Sequence, residues 1–319
     1  MTRFAKYVWL VLGYNLLVVM WGAYVRASGA GAGCGSHWPS CNGEVIPRAP
    51  QIATLIEFSH RLTSGLALIS VVILLIWAFR IYEKKSPIRK NAVLVVVFML
   101  LEALIGAGLV KLELVATNKS LVRGVFMSLH LVNTFLLLAA IALTAWRASG
   151  GKEMLFKKQS ILFSAILIGL FGVILLGVTG AIAALGDTLF PTTSLAEGIT
   201  QDFSSTAHIF LRLRIIHPFL APVVALYLVA LAISINLSRP TAWVKRWSFT
   251  LVGLIIMQLT IGLINLFLLA PIPLQLIHLL MADLTWLALV LMSASALGQE
   301  ENAAEKAASP NLRPRLSSS

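Results

Sequence analysis

Four histidines, His60, His130, His217 and His278, sit at matching depths in four separate apolar segments. Each lies a few residues inside the start of its segment, and the segments are the second, fourth, sixth and eighth of the chain. An imidazole surrounded by hydrocarbon needs a partner, so a residue of this kind points to function. Histidine pairs on neighbouring helices of a bundle are a common way to hold a metal or a haem. For any one of the four alone, a hydrogen-bonded packing role is the simpler reading. As a set at one depth they read as axial ligands to two haems, His60 with His130 and His217 with His278. Zinc or copper would want a third or fourth ligand, and neither half offers one at suitable spacing.

The strongest local motif is Glu57-Phe58-Ser59-His60-Arg61. Glu57 and His60 are three apart and share a helix face. A carboxylate there can accept a proton or stabilise a developing positive charge. It can equally orient a ligand histidine, or stand solvated at the interface. The second half carries Arg214 at the equivalent place, three residues before His217. An arginine suits an anionic group such as a haem propionate, held by two parallel bonds. The second site therefore reads as built to hold a cofactor. The first reads as built to act on its occupant, and this contrast assigns Glu57 to catalysis.

Cys34 and Cys41 are the only cysteines, in one loop and seven apart. An outer loop permits a disulfide. A structural staple and a reducible pair are both open, because the spacing does not separate them. Trp38-Pro39 in the same loop reads as a lid. His37 is expected to be exposed and His208 interfacial. Other polar residues within the apolar segments are Asn15, Glu102, Gln258, Asn265 and Asp283. Glu102 and Gln258 occupy equivalent positions in the two halves and are expected to bond between helices. Asp283, five residues after His278 and off its face, reads as structural.

The elements that must position these residues follow from composition. The chain has 319 residues, of which 58% are hydrophobic and 12% charged, with a mean hydropathy of +0.88. That excludes an ordinary soluble domain. Apolar runs of about 20 residues, enough to cross about 30 Å of hydrocarbon, occur eight times: Tyr7–Ala27, Ile52–Phe79, Asn91–Val110, Leu121–Trp146, Ile161–Leu185, Ile209–Asn236, Trp247–Leu269 and Leu274–Leu297. The first is too long, and with Asn15, Trp21 and Tyr24 too polar, for a cleaved signal peptide. The net charge of +12 is a topology signal rather than a nucleic-acid footprint. Of 25 lysines and arginines, 17 fall at the termini and in the loops on one side, including Lys157, Lys158, Lys306, Arg313 and Arg315. The positive-inside rule then makes both termini cytoplasmic and sets all four histidines in the outer part of a cell membrane, with membrane lipid as a partner and no nucleic acid.

Two halves repeat. Gly22–Gly31 closes the first run as Gly177–Gly186 closes the fifth, and Glu102-x3-Gly106 matches Gln258-x3-Gly262. An even number of segments per half makes this a parallel repeat. The expected fold class is an all-α integral membrane protein of eight transmembrane helices, arranged as two tandem pseudo-symmetric four-helix bundles. The first bundle takes residues 1–150 and the second 151–298, joined through Trp146–Gln159. The polar tail 299–319, with Pro310 and Pro314, is expected to be disordered and cytoplasmic. Two long loops, Ser28–Gln51 and Gly186–His208, carry no evident secondary structure and are of the length that usually serves function.

Taken together, the Gly22–Gly31 stretch, the Cys34/Cys41 loop with Trp38-Pro39, Glu57-x2-His60-Arg61, His130, Leu213-Arg214-x2-His217-Pro218 and His278 with Leu279-Leu280-x-Ala282-Asp283-Leu284 resemble the haem A synthase family. The resemblance covers all eight runs and is to the bacterial form that keeps the loop cysteine pair. It implies oxidation of the C8 methyl group of haem O to the formyl group of haem A, through two hydroxylations and loss of water from the geminal diol. It implies that His60, His130 and Glu57 form the substrate haem site and that His217 and His278 hold a haem b cofactor. It also implies supply of haem O by a haem O synthase and an electron-transfer partner. The competing reading of the same histidines is a di-haem b cytochrome that moves electrons without modifying haem. That protein would not need the Glu57/Arg214 contrast.

Overall fold

The computed structural model describes residues 1–154 and 159–298. Lys157, Lys158 and the tail 299–319 lie outside the described residues. Ten α-helices follow in order: α1 Arg3–Ala27, α2 Ile52–Ile81, α3 Pro87–Lys111, α4 Leu121–Ala148, α5 Ser160–Leu189, α6 Leu195–Asp202, α7 Ile209–Arg214, α8 Ile216–Ser238, α9 Ala242–Phe267 and α10 Ile272–Leu297. Eight are long and apolar enough to cross a membrane when α7 and α8 are taken as one span, Ile209–Ser238. The chain is an all-α integral membrane protein.

Local chemistry sets the helix ends. Thr2 caps α1 by accepting from the Ala5 N–H at 3.1 Å, so the helix starts four residues before the apolar run. Ser86 caps α3, with Pro87 at the first helical position, where its missing N–H costs nothing. Ser120 and Thr241 cap α4 and α9 in the same way. The second long loop differs from its expected irregular form. Helix α5 runs on to Leu189, and α6 forms behind the Ser194 cap, whose hydroxyl accepts from Glu197 N.

The helices are apolar nearly all round, as expected where lipid replaces water. Leu10, Leu17, Ile69, Phe171 and Leu226 are exposed on their outer faces. Helices α1 to α4 close a ring of neighbours, α1–α2, α2–α3, α3–α4 and α4–α1. Helices α5, α8, α9 and α10 close a second ring in the same order. The rings meet where α4 packs on α5 and α10, and α10 also touches α1. Consistent with that central position, α10 and α4 are the most buried of the eight spans. At the seam the Phe135 and Trp286 rings stack at 5.1 Å, and Trp286 Nε1 donates to the Phe135 carbonyl at 2.6 Å. Gly177 permits the close approach of α5 to α4, since a Cβ there would lie 2.8 Å from Leu131 and 2.9 Å from Phe135.

Candidate functional site

Each of the four histidines stands against a glycine of the preceding spanning helix. A Cβ on Gly22 of α1 would lie 2.9 Å from the His60 ring, one on Gly180 of α5 3.0 Å from His217, and one on Gly262 of α9 2.9 Å from His278. Gly106 of α3 faces His130 at 3.9 Å. The unit of the fold is thus a helical hairpin with glycine on the first helix and histidine on the second, used four times. It also sets the repeat register: Gly180, not Gly177, is the partner of Gly22.

All four imidazoles line one cavity of about 1330 Å³ that reaches into both rings, above the roughly 300–1,000 Å³ of ordinary ligand pockets. The rings of His217 and His278 face each other edge to face, with centroids 6.2 Å apart. His217 Nδ1 is held 3.2 Å from both the Leu176 carbonyl and the Thr179 hydroxyl. Gln258 Nε2 lies 3.3 Å from His278 Nε2. In the first ring, Glu102 accepts from Asn133 Nδ2 at 2.5 Å and from the Thr134 hydroxyl, and stands 3.4 Å from His130 Nδ1. The interhelical role expected for Glu102 and Gln258 is what the structure has, with a histidine at the end of each bond set. The Nδ1 atoms of His60, His130 and His278 are buried and hydrogen-bond to no protein atom. Imidazole rings that line a cavity fit a metal-bearing ligand. Among the described residues no group of three or more His, Cys, Asp or Glu side chains converges as a metal site. Pairs of histidines are what a macrocycle that brings its own metal and four nitrogens requires.

Glu57 lines the same cavity and is only 3% exposed. Its Oε1 accepts from Arg61 at 2.5 Å, and its Oε2 accepts from the Cys34 backbone N–H at 2.8 Å. Cys34 and Cys41 are joined in a disulfide. Arg61 also donates to the His37 and Ser40 carbonyls, at 2.6 Å each. The loop presses onto α2 because Gly33 has no side chain: a Cβ there would overlap the Ala53 backbone at 2.4 Å. Thr54 completes the contact by donating to the Gly33 carbonyl at 2.8 Å. Trp38 and Pro39 lie on the cavity wall, while the His37 side chain is exposed.

Arg214 also lines the cavity, but two carboxylates already engage it. Its Nε and one terminal nitrogen lie 2.7 Å from Asp202, and the other terminal nitrogen lies 3.0 Å from Asp187. Burial raises the Asp202 carboxyl above its ordinary range, and Arg214 offsets part of that rise. The sequence reading did not find these two acids, because they sit in the second loop and at the end of α5. It also passed over two cavity-lining arginines. Arg26 bonds Ala184 O, Thr188 Oγ1 and Gln275 Oε1 across the seam, and Arg123 bonds the Ala116 and Asn118 carbonyls. Neither has a carboxylate partner among the described residues. His208 caps α7 and lies 5.1 Å from the Phe190 ring, a structural position.

Fold and site together define a polytopic helical membrane protein with two histidine pairs opening on a shared cavity. Residues 5–290 match the COX15-CtaA family of cytochrome oxidase assembly proteins, and the chain belongs to that family. It is 48% identical over 296 residues to a Protoheme IX farnesyltransferase of Thermus thermophilus, which covers 93% of this chain and 49% of that protein. The chain thus spans about half the length of this relative. It is also 49% identical over 98 residues to a Heme A synthase of Halalkalibacterium halodurans, covering 30% of this chain and 32% of the relative. A Heme A synthase of Bacillus mycoides matches over 111 residues at 43% identity, 34% of this chain and 36% of that one.

Proposed function

We propose that the chain is a haem A synthase that oxidises the C8 methyl group of haem O to a formyl group. The observation that carries this reading is the unequal pair of histidine sites on one cavity. An anchored carboxylate, Glu57, stands beside His60, and an arginine neutralised by two acids stands beside His217. His60 and His130 hold the substrate haem in the unit 1–150. His217 and His278 hold haem b in the unit 151–298. The rings of His217 and His278, which face each other with centroids 6.2 Å apart, would hold the haem between them. Haem b, when bound, supplies one-electron chemistry next to the substrate.

The protein's own residues do the rest. Glu57, fixed by Arg61 and the Cys34 N–H, presents a preorganised negative charge to the carbon being oxidised, or takes its proton. The surrounding apolar helices exclude water from side reactions. Arg214, already shared by Asp187 and Asp202, chiefly fixes the second loop over the cavity, and a propionate would have to compete for it. Arg26 and Arg123 are the cations left for propionates. The site end of the bundle faces the outer side of the cell membrane, and both termini are cytoplasmic.

The Thermus relative is named for farnesyl transfer to protohaem, the reaction that makes haem O. It supports a haem O synthase as the partner that hands over an insoluble substrate. It does not make this chain the transferase. The match covers 49% of that protein, so its name describes a chain about twice as long as this one. The test is to express the chain in cells that make haem O, purify it, and extract its haems for chromatography with mass detection. Haem A together with haem b is the expected result. Two haem b per chain, with no haem O or haem A despite supply, would establish the di-haem b electron-transfer cytochrome instead.

A further inference from the structure

Among the described residues, Asp283 is the one buried acid without a hydrogen-bond partner. It is 0% exposed, lines the shared cavity, and neither carboxylate oxygen has a hydrogen-bond partner. An ionised carboxylate left this way in a dry bundle would cost many kcal/mol, so a neutral carboxyl with a partner is the stable state. Three other polar side chains of the cavity wall have partners of their own. Asn15 Nδ2 donates to Val11 O, Thr285 Oγ1 to Met281 O, and Thr134 to Glu102 and His130 O. No group among the described residues hydrogen-bonds Asp283, and the cavity it lines is where a partner would stand.

Its place on α10 defines which occupant. Five residues beyond His278, it stands about 7.5 Å farther from the loop end and about 140° round the helix. Trp286 and Leu287, one turn on and on the same face as Asp283, pack toward the first ring. Trp286 donates to Phe135 O of α4, and Leu287 belongs to the first ring's core. Asp283 therefore looks at the first ring from below the histidines. The cavity-lining cations Arg26, Arg61, Arg123 and Arg214 are all at the loop end, and of these Arg26 and Arg123 have no carboxylate partner among the described residues. A porphyrin whose propionates meet those arginines turns its opposite edge toward Asp283. On a farnesylated haem that edge bears the prenyl tail, and the carbon joining tail to ring carries the molecule's one alcohol.

We infer that Asp283 is a specificity residue that binds this hydroxyl, separating a hydroxyl-bearing prenylated haem from protohaem. A hydroxyl both donates and accepts, which is what a neutral carboxyl needs. The inference rests on the haem A synthase reading. The test is an absorbance titration of the full-length protein in detergent, purified with its second site already filled with haem b, with haem O and, separately, further protohaem. Wild type, Asp283→Leu and Asp283→Asn are compared. Asp283→Leu should bind haem O roughly tenfold more weakly, the size of one hydrogen bond to a buried group, with protohaem affinity unchanged. Asp283→Asn, which keeps a donor and an acceptor, should retain most of the preference. Protohaem binding reports that each variant is folded, and if the leucine variant binds neither haem, the asparagine variant decides by keeping or losing the preference. Equal loss for both haems, or none for either, would overturn the inference alone. A wild-type protein that binds neither haem would overturn the underlying reading as well.

Discussion

The two rings of helices set the same imidazole against the same glycine and differ in the charge one turn away. In the first ring the charge is an acid, Glu57, backed by Arg61 and by the peptide N–H of Cys34. In the second it is a base, Arg214, backed by Asp187 and Asp202. In both, a long loop supplies part of the backing: the disulfide loop for Glu57, helix α6 for Arg214. A repeated scaffold thus reaches two chemistries through one exchanged residue, and each loop fixes the charge that results. The first loop holds its acid through one cation, Arg61, and one peptide N–H. The second cancels its cation with two acids, which suits holding rather than transforming.

Several substitutions would break or sharpen that contrast. Glu57→Ala should lower haem O conversion by roughly a hundredfold or more, the usual contribution of a positioned acid or base, with bound haem retained. Haem extraction from the purified variant checks it, and full activity would remove Glu57 from the chemistry. Next come the paired glycines. Gly262→Val should deplete haem from the second ring, and Gly22→Val from the first. Each should weaken binding by about 10–100-fold, the range seen when a ligand histidine loses its support. Bound-haem spectra of the two variants should lose different components, and identical losses would mean that the two sites are not independent.

Cys34→Ser should loosen the loop that gives Glu57 its peptide bond. Conversion should fall while the second ring's haem stays at wild-type occupancy, as read by extraction. Arg214→Leu tests the other loop. It leaves Asp187 and Asp202 without their cation and should destabilise that end of the second ring, with substrate haem binding preserved. Smallest is Trp286→Phe at the seam, which removes the interhelical hydrogen bond to the Phe135 carbonyl at a cost of about 1 kcal/mol. Thermal unfolding in detergent should show a small drop without loss of either haem.

Much of this was legible because lipid imposes a simple rule: apolar outside, and long enough. The eight spans were readable from runs such as Ile161–Leu185, although capping by Thr2 and Ser86 moved several starts outward. The four histidines were legible because polar residues in such runs are rare. Helix α6 was not, since Leu195–Asp202 is short and its start depends on one serine cap.

By itself the sequence determined the number of the spans and the place of each imidazole along its span, and it set the expectation of a direction and a twofold repeat. These follow from hydrophobic length and local spacing. The tertiary structure alone decided which glycine each histidine meets, that the four rings share one cavity, and that Glu57 is bonded to the disulfide loop. It also decided that Arg214 is already neutralised and that Asp283 is left without a partner. Those outcomes depend on how helices from distant parts of the chain are rotated against one another, and in hydrocarbon that rotation is set by close packing of small residues across interfaces.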